Sequence, residues 1–207
     1  MVKVQAPLMS LEASGQIGGS LVFSKWKGRP YVRSLVKPSN PKSPGQVGIR
    51  AMMRFLSQSW KENFDAFEGG WIDYAKLANV SPFNAYISHN MRSWREFRGI
   101  MPNPTLEPAA TAITITLDVT PGQRYALVEA TPSAATVLIG IAIFRALETI
   151  TAINWNNCVA IIPANTTDEV SWTDAPLAAG TYYWAAAALT SLRAIGAKSN
   201  VEEQEVT

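Results

Sequence analysis

The 207-residue sequence holds one cysteine, Cys158, and one histidine, His89. A single cysteine excludes an internal disulfide framework, and one of each excludes a Cys/His zinc site. Ser–His–Asp or Cys–His catalysis would have to take its imidazole from His89. Charge is also scarce. Asp, Glu, Lys and Arg make up 16% of the residues, against about 25% in average globular chains. Long apolar runs are missing too: the longest, Val137 to Phe144 (VLIGIAIF), falls far short of the roughly 20 residues of a membrane-spanning helix. The opening MVKVQAPLMSLEASG lacks the apolar run of a signal peptide, so a protein made in a cytoplasm is expected.

Signatures of chemistry are equally sparse. No Gly-x-x-x-x-Gly-Lys-Ser/Thr run occurs, and Gly15–Gly19 (GQIGG) lacks the lysine of a phosphate loop. There is no Gly-x-Ser-x-Gly elbow. Two carboxylate sets, Asp65/Glu68/Asp73 and Asp168/Glu169/Asp174, could in principle form a glycosidase pair. They lie in loop-like or helix-end stretches and read as surface charge. His89 reads as a surface or satisfied histidine, and Cys158 as a small buried hydrophobe. The expectation is a protein that is not an enzyme and carries no cofactor or metal.

What the sequence has is apolar material, 47% of residues, enough for a sizeable core and a surface that in part meets other protein. Its charge is divided. Residues 1–100 contain 14 Lys and Arg against 6 Asp and Glu, whereas residues 101–207 contain 4 against 10. Such asymmetry suits nucleic acid, an acidic partner, or the acidic half of a neighbouring copy in a head-to-tail assembly.

Three prolines within Gly99–Pro108 suggest a connector. The expected organisation is α+β: residues 1–100 as a hairpin, arm and helical domain, 101–110 as a Pro-rich linker, and 111–207 as a β-sandwich.

In the first half, Leu21–Trp26 and Pro30–Val36 are β-prone runs around the turn Lys27-Gly28-Arg29. The basic cluster Lys25, Trp26, Lys27, Arg29, Tyr31 and Arg33 interleaves cations with aromatics. It suits base stacking and phosphate contact, a hairpin with a solubilised edge, or a tip docked into a neighbouring subunit. An extended arm follows, with Pro38, Asn40 and Pro41. Ser43-Pro44-x-Gln46 has capping-box spacing, and the apolar stripe Ile49, Met52/Met53, Leu56, Trp60, Phe64 predicts a helix ending near Phe67–Gly70. A short piece from Trp71 to Ala78 precedes a second start at Ser81-Pro82, with Arg92, Arg95 and Arg98 at that helix's end. Those arginines read as a solvated helix terminus or, alternatively, a phosphate site.

In the second half, short β runs recur at near-regular spacing: 112–119, 124–130, 136–145, 157–162, 169–173, 181–190 and 198–206. That is the pattern of a sandwich. The unbroken apolar run around Ile141 predicts a strand covered on both faces. The tetra-alanine Ala185–Ala188 follows Thr-Tyr-Tyr-Trp and reads as strand.

Two resemblances attach to these residues. Asp174-Ala-Pro-Leu177-Ala-Ala-Gly180-Thr-Tyr182-Tyr183-Trp, followed by Ser199-Asn-Val and preceded by Ile143-Phe144-Arg145, resembles a fibronectin type III domain of the immunoglobulin-like class. The resemblance implies a tyrosine corner at Tyr182 or Tyr183. The sequence departs from that family in its second strand, where Tyr125 and Leu127 stand in place of a core tryptophan. The first half, through Gly15, Gly18-Gly19, Trp26-Lys27-Gly28, Tyr31-Val32-Arg33, Pro38-x-Asn40-Pro41-x-Ser43, Gln46 and Arg50, resembles small structural proteins of tailed-bacteriophage virions and prophages. That resemblance implies a place in a virion and no catalytic residues.

The resulting expectation is a virion structural protein, a capsid decoration or cement protein or a tail or neck component. Its assembly surface would comprise Lys25, Trp26, Lys27, Arg29, Tyr31, Arg33, Pro38, Asn40 and Pro41. Its partners would be other virion subunits and further copies of itself, with no membrane. A second reading displays the sandwich as a binder of a host glycan or protein through Trp155, Trp172 and Trp184. A third has the hairpin and Arg50/Arg54 contact DNA.

Overall fold

The computed structural model describes residues 2–3, 14–37, 39–62, 64–104, 113–192 and 194–207. The chain divides into two compact units, Met1–Pro41 and Lys42–Thr207.

The first unit is a four-stranded antiparallel sheet. Its strands are β1 (Val2–Lys3), β2 (Gly15–Ile17), β3 (Leu21–Trp26) and β4 (Arg29–Ser34), in the order β1-β4-β3-β2. The β3–β4 hairpin turns on two residues, Lys27 and Gly28, both at positive φ. That backbone matches the twist of the flanking strands. Arg29 already belongs to β4, paired with Trp26.

The second unit begins with three helices: α1 (Pro44–Glu62), α2 (Phe64–Ala78) and α3 (Pro82–Arg95). Pro44 opens α1, and the Ser43 carbonyl accepts the Val47 N–H. The Ser81 hydroxyl caps α3 by accepting the Asn84 N–H at 3.2 Å, with Pro82 next. The helical pattern differs from expectation at Gly69-Gly70, which lies inside α2 and does not end a helix. A Cβ on Gly70 would sit 2.8 Å from Asn103 Oδ1, so this glycine serves a close approach.

Seven strands follow: β5 (Ile115–Gly122), β6 (Tyr125–Pro132), β7 (Leu138–Ala146), β8 (Cys158–Pro163), β9 (Val170–Asp174), β10 (Gly180–Thr190) and β11 (Glu202–Val206). They form two antiparallel sheets, β5-β6-β9 and β11-β10-β7-β8. The expected turn at Pro121-Gly122 lies two residues later, at Gln123-Arg124, and Gly122 pairs with Tyr125. The Tyr125 ring occupies the space a Cβ on Gly122 would need.

The four-stranded sheet is covered on both faces, as its unbroken apolar strand predicts. Ile141 and Ile143 of β7, with Trp184, Ala186 and Ala188 of β10, join the core shared with the three-stranded sheet. Their neighbours Ala142, Phe144, Ala185, Ala187 and Leu189 join a second core, built with Met52, Phe55 and Leu56 of α1, Trp71 of α2 and Tyr86 and Trp94 of α3. Strand alternation sends adjacent residues to opposite layers. Phe55 reaches the sheet because β7 carries Gly140 there; a Cβ on Gly140 would lie 2.7 Å from the Phe55 ring.

This packing moves the boundary expected at 101–110. Helices and sandwich share one unit, and the chain divides between Pro41 and Lys42. The described start of the Pro-rich segment is not an exposed connector. Ile100 and Met101 are buried. The Trp71 Nε1–H donates to the Pro102 carbonyl at 2.7 Å. Asn90 holds Met101 from both sides: its Oδ1 accepts the Met101 N–H at 2.6 Å, and its Nδ2 donates to the Met101 carbonyl at 3.1 Å. Residues 105–110 lie outside the described residues.

Candidate functional site: a small sheet and a basic groove

Register separates the residues of the small sheet into two faces. Phe23 pairs with Val32 and Gly15, Leu21 with Ile17 and Ser34, and Lys25 with Pro30, so these share one face. Trp26 pairs with Arg29, Ser24 with Tyr31 and Val22 with Arg33, which places Trp26, Arg29, Tyr31 and Arg33 on the other. The expected assembly residues are thus split: these four lie on the cationic–aromatic face, Lys25 lies on the apolar face, and Lys27 is in the turn. The Lys27 ammonium stands 5.0 Å from the Trp26 ring centroid. Trp26 is 63% exposed, and Ile17, Leu21 and Val36 are exposed as well. Among the described residues of this unit, Phe23 is the one buried hydrophobic. Asn40 and Pro41 are exposed in the arm, and Pro38 lies outside the described residues.

The three candidate ligand-binding tryptophans sit in different layers. Trp184 is fully buried in the sandwich and donates through Nε1 to Asp174 Oδ2 at 3.1 Å. It offers no surface to a ligand. Trp155 is half-buried against the helical core, Trp172 against the sandwich core.

The carboxylate sets also separate. Asp174, expected at the surface, is buried. Its Oδ1 accepts from Arg145 Nη1 at 2.6 Å, so one carboxylate of β9 ties the three-stranded sheet to β7 and β10 of the other. The Arg145 guanidinium also lies 5.6 Å from the Tyr182 ring. Asp168 and Glu169 remain exposed. Asp73 forms an exposed pair with Lys76 at 2.9 Å. The side chains of Asp65 and Glu68 lie outside the described residues. His89 packs at 5.7 Å from Trp71 and 5.8 Å from Tyr74 between ring centroids. Cys158 is buried, and burial pushes its thiol pKa well above the usual value. An ionised nucleophile is disfavoured there.

One arrangement brings separated sequence features together. A groove of about 520 Å³ runs between α1, β8 and β9. Lys42, Arg50 and Arg54 line it, with Val159 and Ile161 of β8 and Trp172 of β9. Among the described residues, no acidic one lines it. The sequence paired Arg50 with Arg54 and gave Trp172 separately; only the fold places all three around one depression. Arg95 does not extend this cluster. It meets Arg50 across a separate recess floored by Ile49 and Trp155. Among the described residues, no group of three His, Cys, Asp or Glu side chains could hold a metal ion, and no helix is long and apolar enough to cross a membrane.

No protein-family model matches the chain, and no curated protein matches it. Solved structures give partial likenesses. A β-1,2-glucanase from Parabacteroides distasonis aligns over 50% of this chain and 14% of its own, at 15% identity and TM-score 0.38. A pectate lyase from Erwinia chrysanthemi, in complex with tetragalacturonic acid, aligns over 44% of this chain and 27% of its own, at 13% identity and TM-score 0.35. The PKD domain of an M14-like peptidase from a Thermoplasmatales archaeon aligns over 45% of this chain and 91% of its own, at 16% identity and TM-score 0.29. The chain thus spans under a third of the length of the first two.

Proposed function

We propose that the protein is a non-enzymatic structural component of a virion, a capsid decoration or cement protein or a tail or neck part, that binds other subunits through its first unit. The observation that carries this reading is the small sheet with exposed apolar and aromatic side chains on both faces. A sheet gains independent stability by burying a face, and exposed patches of this kind mark contact with another protein. Charge points the same way: residues 1–41 hold six Lys and Arg against Glu12 alone. The resemblance of the Trp26–Arg33 and Pro38–Arg50 strings to tailed-phage structural proteins supplies the setting.

For the second unit we infer a fibronectin type III-like sandwich. Its first, second and fifth strands form one sheet; its seventh, sixth, third and fourth form the other. The Tyr182 hydroxyl donates to the Ala178 carbonyl, four residues upstream, at 3.2 Å, as a tyrosine corner would. That contact supports Tyr182 as the corner residue, whereas Tyr183 bonds Glu203.

The test has two arms. A mass-spectrometric inventory of purified particles should contain the protein. Trp26→Ala or Arg33→Ala should release it from particles, while Lys61→Ala on α1 should not. Absence from particles would overturn the virion setting, and unchanged retention of Trp26→Ala would overturn the role of the sheet.

A further inference from the structure

The four-stranded sheet ends in two strands of opposite character. At one end is β8, CVAIIP, an edge strand with no charged residue. Native edges are blunted by charge, proline or a bulge; β8 has Pro163 at one end and a register shift near Cys158 at the other, and between them Val159–Ile162 is an apolar template for another strand. At the other end is β11, EEQEV, with Glu202, Glu203 and Glu205. The basic groove lies along β8, and its Lys42, Arg50 and Arg54 are exposed.

We propose that the groove between α1, β8 and β9 receives strand β11 of a second copy of this chain. Direction supports this occupant. Every neighbour pair in the sheet is antiparallel, so β8 and β11 themselves run in opposite directions. A copy moved sideways without rotation lays its β11 antiparallel to β8 and continues the sheet. Charge supports it too. Glu203 and Glu205 share one face of β11, opposite buried Val206, and enter a groove whose described lining holds three cations and no acid, which favours this register and this partner. The contact is heterologous: each copy offers one acceptor groove and one donor strand. It therefore builds rings or open chains rather than closed twofold dimers. A five-residue edge is a small interface, so the association is weak and depends on concentration. The proposal stands apart from the role of the small sheet, since every residue involved lies in Lys42–Thr207.

The test uses the full chain in sedimentation velocity across a concentration series. Wild type should self-associate, and raising salt from about 50 mM to about 500 mM should weaken it. Arg50→Glu/Arg54→Glu removes the acceptor, and Glu203→Lys/Glu205→Lys removes the donor. Each double variant should sediment as a monomer, with thermal melts confirming that it is folded. Mixed together, each retains what the other lacks only in one orientation. The donor-dead protein keeps its groove and the acceptor-dead protein keeps its strand, so the mixture should form a 1:1 pair and stop. If either double variant misfolds, the single changes Arg54→Ala and Glu205→Ala should each weaken association at least several-fold. Wild type that stays monomeric at millimolar concentration would overturn the proposal. So would association untouched by these variants but lost in Trp26→Ala, which would leave the small sheet's role standing. A single-stranded oligonucleotide bound by a monomeric wild type and lost in Arg50→Glu/Arg54→Glu would overturn it in favour of nucleic acid.

Discussion

Gly48 of α1 lies directly against the carbonyl oxygen of Trp155, which stands in the space where a Cβ at position 48 would be. The obstacle is backbone, so it cannot rotate away. Gly45, one turn earlier, faces the Trp155 ring at 2.9 Å from its own notional Cβ. Two glycines on one helix face thus set how closely α1 meets the loop before β8.

Gly48→Ala should therefore be costly despite its gain in helix propensity. Overpacking of a fixed contact typically costs about 1–3 kcal/mol, against about 1 kcal/mol gained from replacing a helical glycine. A net loss in urea denaturation is expected. A Gly48→Ala variant as stable as wild type would mean that α1 is not seated on that loop.

The Asp174 carboxylate accepts from both Arg145 and Trp184. Asp174→Asn removes its charge while retaining one amide oxygen, and should cost about 2 kcal/mol. Asp174→Ala leaves both donors without this acceptor and should cost more. Equal melting temperatures for the two variants would show that neither donor depends on this oxygen pair.

Protease should cut first in the exposed stretch 39–43, which holds no helix or strand, and later at 99–104, where Trp71 and Asn90 hold the backbone. The released piece from about 42 to 207 should give a mixed helix and strand signal by circular dichroism. A first cut at 99–104, followed by a folded all-β fragment, would contradict the shared core.

Cys158 should resist thiol reagents until the protein unfolds. Its folded pKa lies above the ordinary value of 9.0. The unfolded chain therefore releases this proton first as pH rises, and stability is full below pH 9 and falls above it. The slope approaches about 1.4 kcal/mol per pH unit for one proton. Urea midpoints at pH 7 and 9.5 should differ more for wild type than for Cys158→Ala. An identical difference in both proteins would show that another group titrates.

Strands were legible because the second unit alternates or runs apolar in step with its layers. Ala185–Ala188 reads as strand once Thr-Tyr-Tyr-Trp precedes it, and the run at Ile141 announces two covered faces. Helix starts were legible at Pro44 and Ser81-Pro82 because their chemistry is local. The unit boundary was not. Three prolines near 99–108 suggest exposure, but Met101 is fixed by Asn90 and Pro102 by Trp71, partners remote in sequence. The apolar stripe of α1 missed Phe55, whose site exists only because Gly140 faces it. The groove drew Arg50, Arg54 and Trp172 from segments about 120 residues apart, a distance over which no local pattern operates.

The four alanines of β10 separate two kinds of damage. Enlarging Ala185 or Ala187 pushes into the core that holds the helices, whereas enlarging Ala186 or Ala188 pushes into the core shared with the three-stranded sheet. Adjacent codons thus address different layers. Ala187→Val would lift the helical layer from a sandwich still intact, and Ala188→Val would pry the sandwich open beneath helices still seated. A random mutational scan of this short stretch should accordingly show its tolerated substitutions and its failures alternating in type with a period of two.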